Sequence, residues 1–411
     1  MTPFIGAAAS PRAQLAWLSL AMFLGMTLWF YATAATASIV SEFHLTEGEA
    51  AWLTMAVQGG FVAGTLVSAL LNLPDVVSAR RLFAAGCVLG GAANAALVGA
   101  GEPAVLIALR VANGFALAWV YTPGMKVAAG WFDKRRGMAL GIVIGALTIG
   151  SAFPHFLAAA SAHIPWRTLV LSASGLALAG GIIVVTAVGD GPYVARSAPF
   201  DPGAIARVFS HRPARLATLG YLGHMWELYA VWTWIATFAT AGLAATEFGA
   251  RPGVAQAGSA IAFLTIASGA AGSAAAGFFA DRIGKARVAA ASMLVSAVCA
   301  ALAAAAFGAP PFVLAILAVV WGVAVVADSA QLSALVAEHS PRDHVGTALT
   351  VQTCCGFLLT MVSIRLVPAV ALAAGWRWAF LCLVPGPLFG AWAVRGLIRT
   401  AGEAGWAGRA G

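Results

Sequence analysis

Long apolar segments separated by short loops constrain this chain more than any other feature of its sequence. A helix that crosses a bilayer needs about 20 mostly apolar residues, and segments of that length recur twelve times. The sequence therefore predicts an all-α polytopic membrane protein with twelve transmembrane helices. The predicted crossings are residues 14–40, 49–72, 80–100, 104–130, 137–161, 166–188, 215–243, 257–279, 288–307, 311–336, 345–371 and 377–397.

Composition supports lipid as the main solvent of the chain. Hydrophobic residues make up 61% of the sequence and charged residues only 9%, whereas soluble domains carry about 25% charged residues. The net charge of +8 could indicate nucleic-acid binding, but the charges lie in short loops between apolar segments. That distribution is typical of membrane topology. We expect the lipid bilayer, and no nucleic acid, as a partner.

Basic residues are concentrated in every second loop. The opposite loops contain only Arg167, Arg251 and Arg377. Because cytoplasmic loops are enriched in Lys and Arg, the sequence predicts an integral protein of the cell (inner) membrane with both termini cytoplasmic. The basic residues on the predicted cytoplasmic side are Arg12, Arg80, Arg81, Lys134, Arg135, Arg136, Arg196, Arg207, Arg212, Arg215, Arg282, Lys285, Arg287, Arg342, Arg395, Arg399 and Arg409.

The two halves of the chain repeat one another. Residues 23–32, FLGMTLWFYA, align with residues 221–230, YLGHMWELYA, and later loop residues also recur in register. Within this alignment Met26 is matched by His224, and Trp29 by Glu227. Such duplication is typical of transporters built from parallel repeats. It predicts a six-helix bundle over 1–188, a cytoplasmic linker over 189–213 and a second six-helix bundle over 214–411.

The segment GFFADRIGKAR, residues 277–287, resembles the GxxxDRxGxxR signature of the major facilitator superfamily. Asp75 and Arg81 remain in a weaker first-half copy, and RVANG at 110–114 is similar to the RxxxG element of that family. The resemblance implies a secondary transporter that works by alternating access. The residues expected to form a conformational latch are Asp75, Arg81, Gly277, Asp281, Arg282, Gly284 and Arg287.

The latch also has a physical basis. A short turn cannot relax far, so its carboxylate can meet a neighbouring helix N-terminus or a loop arginine. The alternative is that the basic residues of these loops only set topology, which alone explains Arg80 and Arg287. Lys126, near the cytoplasmic end of the fourth crossing, is expected to extend its ammonium group to the interface.

Ionisable side chains inside the predicted crossings mark a proton path or a solute path, because they are costly in lipid. His224 and Glu227 are three residues apart and share a helix face. Asp328 is a second intramembrane acid, in a hydrophilic part of the tenth crossing. We assign these three residues to proton coupling. The alternative is that Glu227 stays neutral and only stabilises helix packing.

Cation-capable residues suggest an anionic solute. His155 and Arg365 each lie eleven residues before a repeated Trp-Arg pair, so they occupy equivalent places in the two halves. Cationic groups facing one another across the pseudo-two-fold axis would bind an anion. His155 as a core histidine, Gln58 as a helix contact and Arg110 in structural pairing are the alternatives. The predicted substrate-binding residues are Arg110, Arg365, His155, Gln58, Trp29, Tyr31, Tyr121 and Trp226.

These observations predict a proton-coupled secondary transporter of a small, anionic solute, and not an enzyme. No phosphate-binding loop, metal-ligand cluster or nucleophile–base pair occurs in the sequence, so we expect no cofactor, and we expect a monomer. Efflux of lipophilic compounds is an alternative. A nitrate or nitrite carrier is disfavoured because the second and eighth crossings lack the arginines of that family. A membrane sensor is disfavoured by the lack of an appended soluble domain.

Overall fold

A computed structural model describes residues 10–133, 136–160, 164–194 and 200–407, which form helices and loops without a strand. Four of the basic residues used for topology, Lys134, Arg135, Arg196 and Arg409, and the side chain of Arg342 lie outside the described part of the chain. The first-half helices are α1 (Pro11–Met26), α2 (Tyr31–Ala34), α3 (Thr36–Phe43), α4 (Glu47–Leu70), α5 (Leu73–Val76), α6 (Ala79–Ala96), α7 (Pro103–Trp131), α8 (Arg136–Ala160) and α9 (Trp166–Thr186). The later helices are α10 (Ile205–Ser210), α11 (Arg212–Ala244), α12 (Val254–Ile283), α13 (Lys285–Ala306), α14 (Pro311–Ala327), α15 (Ser329–His339), α16 (Val345–Ala374), α17 (Trp376–Ala379) and α18 (Pro385–Ala407).

The all-α polytopic fold is confirmed. Within the described residues, ten helical segments are long and apolar enough to cross a membrane. The other two predicted crossings are the first and the seventh. The first is divided into α1, α2 and α3, and the seventh, α11, is one helix of 33 residues that carries His224 and Glu227. The tenth crossing is also interrupted, since α14 ends before Asp328 and α15 follows it.

Local sequence explains several helix ends. Thr46 and Glu49 form a capping box at the start of α4, in which the Glu49 carboxylate accepts a 2.8 Å hydrogen bond from the Thr46 backbone N–H. Such reciprocal caps satisfy backbone donors that a helix start leaves free. Gly284, with φ of 92°, separates α12 from α13. Glycine reaches this left-handed region without the steric cost of a Cβ.

Glycines allow equivalent helix pairs to approach closely in the two halves. A Cβ added at Gly114 of α7 would lie 2.0 Å from the Val57 carbonyl oxygen of α4. In the second half, a Cβ added at Gly322 of α14 would lie 1.8 Å from the Thr265 carbonyl oxygen of α12. Small residues at such crossings are the main packing device of membrane helices. The second and fourth crossings of each half therefore pack alike, as the repeat predicts.

The halves meet along two helix pairs, α8 with α12 and α4 with α16. Ser273 of α12 donates a 3.4 Å hydrogen bond to the Gly141 carbonyl of α8, and Phe156 lies 5.4 Å from Phe263 between ring centroids. The two described parts of the linker lie against different halves. The Tyr193 backbone N–H donates a 2.9 Å hydrogen bond to Gly130 O of the first half, and the Asp201 backbone N–H donates one to Thr347 Oγ1 of the second half.

Candidate functional site

Aromatic side chains from both halves meet in one buried group between the halves. Trp29 lies 5.5 Å from Tyr229 and 5.8 Å from Phe357 between ring centroids. Phe61 lies 4.4 Å from Phe357. We define the central aromatic cluster as Trp29, Phe30, Phe61, Tyr229, Trp232 and Phe357, all of which are buried. These spacings are those of stabilising aromatic pairs, so the cluster joins the halves directly.

A break in the first crossing delivers two members of the cluster. α1 ends at Met26 and α2 begins at Tyr31, which leaves Trp29 and Phe30 in the turn between them. Helix ends leave carbonyl groups without intrahelical partners. Arg110 of α7 donates hydrogen bonds to Leu28 O at 3.3 Å and to Trp29 O at 2.8 Å. Its guanidinium therefore compensates for the break that positions Trp29.

Arg110 is completely buried and donates a hydrogen bond to a third backbone carbonyl. It donates a 2.8 Å hydrogen bond to Leu53 O of α4, and its guanidinium carbon lies 4.8 Å from the centre of the Tyr31 ring. Its guanidinium thus makes structural contacts with backbone carbonyls inside the first half, which is the alternative to solute binding stated for this residue. Tyr31 belongs to the same contact and lies beside Arg110.

Several buried polar atoms around the cluster have no hydrogen-bond partner among the described residues. They include both amide atoms of Gln58, one turn before Phe61, and the indole nitrogens of Trp29 and Trp232. Ser151 Oγ on α8 is also without such a partner. Buried polar groups are nearly always satisfied in native proteins. These atoms are therefore available to a bound solute or to water.

His155 extends this polar rim on α8. The ring is buried, and His155 Nε2 lies 3.3 Å from Thr33 Oγ1 of α2. His155 Nδ1 has no partner among the described residues. Ser151 precedes it by four residues and thus shares its helix face. The contact with Thr33 places His155 next to the interrupted first crossing.

Arg365, the expected counterpart of His155, lies elsewhere. Its side chain is exposed beside the start of α4, where a Cβ added at Gly48 would lie 2.9 Å from its guanidinium nitrogen. The expectation that Arg365 faces His155 across the pseudo-two-fold axis is wrong, because the Arg365 side chain is exposed whereas His155 is buried. A long cationic side chain can extend out of the apolar region, which equal spacing along the sequence does not reveal.

Glu227 is held inside the second half. Its Oε2 accepts a 2.7 Å hydrogen bond from Ser296 Oγ of α13, and its Oε1 accepts one of the same length from Trp321 Nε1 of α14. Tyr229 follows two residues later, and two residues turn an α-helix by about 200°. The carboxylate and the central aromatic cluster therefore lie on opposite sides of α11.

His224 and Asp328 form a buried pair one turn from Glu227. His224 Nδ1 lies 2.8 Å from Asp328 Oδ1, an ion-pair distance without hydrogen-bond alignment. His224 Nε2 lies 2.9 Å from Ser329 Oγ. Asp328 occupies the junction of α14 and α15, so the break in the tenth crossing faces the ionisable residues of α11. The three predicted proton-coupling residues thus lie together.

Two other predicted substrate residues differ in position. Tyr121 borders the cluster, with its ring centroid 6.0 Å from that of Phe61. Trp226 donates a hydrogen bond from Nε1 to Cys382 O at 3.0 Å, so its indole is directed toward the start of α18. Helix rotation sorts these aromatic residues, and the sequence alone does not determine it.

The predicted latch residues lie at or near the ends of helices α5, α6, α12 and α13, and Gly284 lies between α12 and α13. Asp75 forms an ion pair with Lys126, which also donates to Pro74 O at 3.0 Å. The Lys126 ammonium therefore reaches the turn after α4, where it is ion-paired with Asp75. In the second half, Lys285 pairs with Glu338, and the Arg282 guanidinium carbon lies 3.7 Å from the centre of the Phe278 ring. Asp281 is exposed, and a Cβ at Gly277 would meet open space. Two other predicted latch residues form hydrogen bonds to nearby residues at helix ends. Arg287 donates a 3.4 Å hydrogen bond to Ile283 O, and the Arg81 backbone N–H donates one of 3.3 Å to Ser78 Oγ.

Comparison with known families decides the class of this protein. The sequence model of the Major Facilitator Superfamily matches residues 18–262 and 228–408. The chain belongs to the major facilitator superfamily. A crystal structure of a single-residue mutant of the nucleoside transporter NupG superposes with a TM-score of 0.71 at 16% sequence identity, over 93% of this chain and 99% of the other. At this identity the likeness establishes the fold alone.

Membership of the major facilitator superfamily makes the chain an integral membrane transporter of a small-molecule substrate, as the sequence predicted. Other residues of the site escaped the sequence analysis, namely Phe61, Ser296, Trp321 and Phe357. Tyr229 was also missed, although the repeat aligns it with the predicted residue Tyr31. Nothing in a run of apolar residues indicates which aromatic ring faces the other half.

Proposed function

We propose that this transporter carries a small solute with a planar aromatic group, bound in the central aromatic cluster and coupled to proton movement. The observation that carries the proposal is the cluster itself, built from both halves and bordered by buried polar atoms without partners. Small-molecule sites combine apolar and aromatic walls with a few oriented polar groups. In transporters with repeats, they lie between the halves near mid-membrane.

A planar ring suits this site chemically. Trp29 and Tyr229 are stacked with an interplanar angle of 25°, so a solute ring entering between them would exchange one aromatic contact for two. Gln58 and the indole nitrogens of Trp29 and Trp232 then supply hydrogen bonds. The structurally similar NupG is a nucleoside transporter, which makes nucleosides the first solutes to test.

An anionic solute receives less support from the same geometry. The Arg110 guanidinium already donates to three backbone carbonyls, and Arg365 lies at the outer surface. His155 is the cation-capable residue nearest the interrupted first crossing. Organic anions therefore form the second solute class of the test, and lipophilic compounds, which an aromatic wall also accommodates, form the third.

Proton coupling would use the Glu227 carboxylate on α11. Trp321 can only donate a hydrogen bond, whereas the Ser296 hydroxyl can donate or accept. A proton arriving at Glu227 is therefore accommodated on Oε2, where Ser296 can turn to accept it. Because α11 also carries Tyr229 and Trp232, a shift of this helix on protonation would reach the cluster.

Uptake into proteoliposomes under an imposed inward proton gradient tests the coupling. Glu227→Gln is expected to abolish gradient-driven accumulation while solute exchange at equal pH continues, because the variant cannot release a proton. Glu247→Gln, which removes an exposed carboxylate outside the membrane, is the matched control and should transport as the wild type does. Unchanged accumulation by Glu227→Gln would show that this residue does not couple protons.

Solute binding is tested separately by competition. Trp29→Ala is expected to weaken binding of the transported solute roughly tenfold, since loss of an aromatic contact costs about 1 kcal/mol or more. Trp226→Ala removes the same ring type from the side facing Cys382 and should leave affinity unchanged. If organic anions bind, nucleosides do not, and Trp29→Ala has no effect, the anionic solute replaces the aromatic one.

A further inference from the structure

A basic groove lies at one end of the second half, between α11 and α18. Four exposed arginines line it, Arg212 and Arg215 from α11 and Arg395 and Arg399 from α18. The groove has a volume of about 680 Å³. None of the predicted solute, proton or latch residues contributes to it. The groove is therefore separate from the proposed transport site.

The charge of the groove is not compensated by protein. None of the four arginines forms an ion pair among the described residues, and the lining contains no acidic side chain. The one hydrogen bond found for their guanidinium groups runs from Arg215 to Phe209 O at 3.1 Å. Arginine is the preferred side chain for phosphate because its planar fork matches the phosphate oxygens.

Below the arginines the groove becomes apolar. Arg395, Trp392 and Leu388 follow one face of α18 at helical spacing, and Leu216 and Leu219 do so on α11 below Arg215. Trp392 is 63% exposed and Leu388 47%, so this part opens toward the lipid. Arg395 and Leu388 are seven residues apart, which is about 10 Å along a helix. The groove thus changes from cationic to apolar over the depth of a lipid headgroup region.

We propose that this groove binds one anionic phospholipid of the leaflet that surrounds the termini, which the positive-inside rule predicts to be cytoplasmic. The arginines hold the phosphate and its anionic headgroup, and the acyl chains follow Trp392 and Leu388 toward the bilayer. Basic pockets between transmembrane helices bind anionic headgroups in this way. A free phosphate would use the arginines but leave the apolar part of the groove uncovered.

The lipid site has a consequence for the transport cycle. α11 carries the arginines at its start and the residues Glu227 and Tyr229 further along. A lipid bridging α11 and α18 therefore stabilises the second half around the helix that links the proton site to the cluster. This consequence rests on the proposed function, whereas lipid binding itself does not.

Native mass spectrometry of the full chain in detergent, titrated with phosphatidylglycerol or phosphatidylcholine, tests the site. The wild type is expected to retain one phosphatidylglycerol in preference to phosphatidylcholine. Arg395→Gln/Arg399→Gln should weaken retention about tenfold to thirtyfold, from roughly 1 kcal/mol for each basic group. Arg12→Gln/Arg136→Gln removes two exposed charges from the same end of the first half and should retain the lipid.

Three outcomes would overturn the proposal. Equal retention of phosphatidylcholine would show that charge is not recognised. Equal losses in both double variants would show a general surface effect. Competition by millimolar glycerol 3-phosphate as effective as that by phosphatidylglycerol would identify a site for soluble phosphates. Monodisperse elution of each variant establishes folding, and the readout is independent of which solute is transported.

Discussion

Arg110 is expected to act on the solute site only through the backbone of the broken first crossing. Its three hydrogen bonds to backbone carbonyls connect α7 with Leu53 of α4 and with Leu28 and Trp29. Arg110→Lys keeps the charge, but a single ammonium group cannot reproduce the planar fork that reaches acceptors on separate elements. The variant is therefore expected to lose at least one contact and to loosen Trp29.

The size of the effect follows from these contacts. Hydrogen bonds between helices in membranes contribute about 0.6 kcal/mol on average and up to about 1.7, and those to charged groups about 1.5–3 kcal/mol in soluble proteins. Losing one or two of them lowers the free energy of unfolding by about 1–3 kcal/mol. Arg110→Met leaves all three carbonyls without this donor and is expected to cost more.

Equilibrium unfolding in mixed micelles of increasing SDS content measures this free energy. Arg167→Lys is the control, because Arg167 is 43% exposed and surface ion pairs contribute little. Solute affinity should fall together with stability in Arg110→Lys. If the variant keeps wild-type stability and loses solute binding, Arg110 contacts the solute directly and the reasoning is refuted.

Helix packing and the outer surface give two further predictions. Gly322→Ala is expected to lower the free energy of unfolding by about 1–3 kcal/mol, because its Cβ would lie 1.8 Å from a carbonyl oxygen of α12. Gly277→Ala, where the Cβ meets no atom within 4 Å, should leave it unchanged or slightly higher; equal losses would contradict the packing argument. At the outer surface, the hydrogen bond from Arg167 keeps the pKa of Glu42 below its ordinary value of 4.5. This contribution is present above pH 4.5 and lost as pH falls through the lowered pKa. Thermal stability should therefore decline more steeply in acid for the wild type than for Glu42→Gln, and parallel profiles would contradict the pairing.

The sequence repeat predicted part of the site formed by His224, Glu227 and Asp328. It indicated that the second half differs from the first at His224 and Glu227, and the structure brings both together with Asp328. It did not indicate Ser296 or Trp321, because small and aromatic residues within an apolar segment resemble ordinary packing residues. Their contact with Glu227 depends on how α13 and α14 are rotated.

The repeat was misleading for the first-half segment, residues 23–32. Trp29 is aligned with Glu227, but one lies in a turn at the centre of the protein and the other inside a continuous helix. The two decamers are equally compatible with a helix. The break is stable because Arg110, 82 residues from Leu28 and 81 from Trp29 in the sequence, supplies donors to the freed carbonyls.

The sequence by itself determined that this chain crosses the membrane repeatedly, approximately which segments are helical, and which positions of its two halves correspond. These properties follow from hydropathy and spacing, which are local and sum along the chain. Only the tertiary structure decided that aromatic rings rather than arginines occupy the centre. The physical reason is that a helix of mixed apolar residues can present any face to its neighbours, and the choice is made by packing and by hydrogen bonds between distant segments.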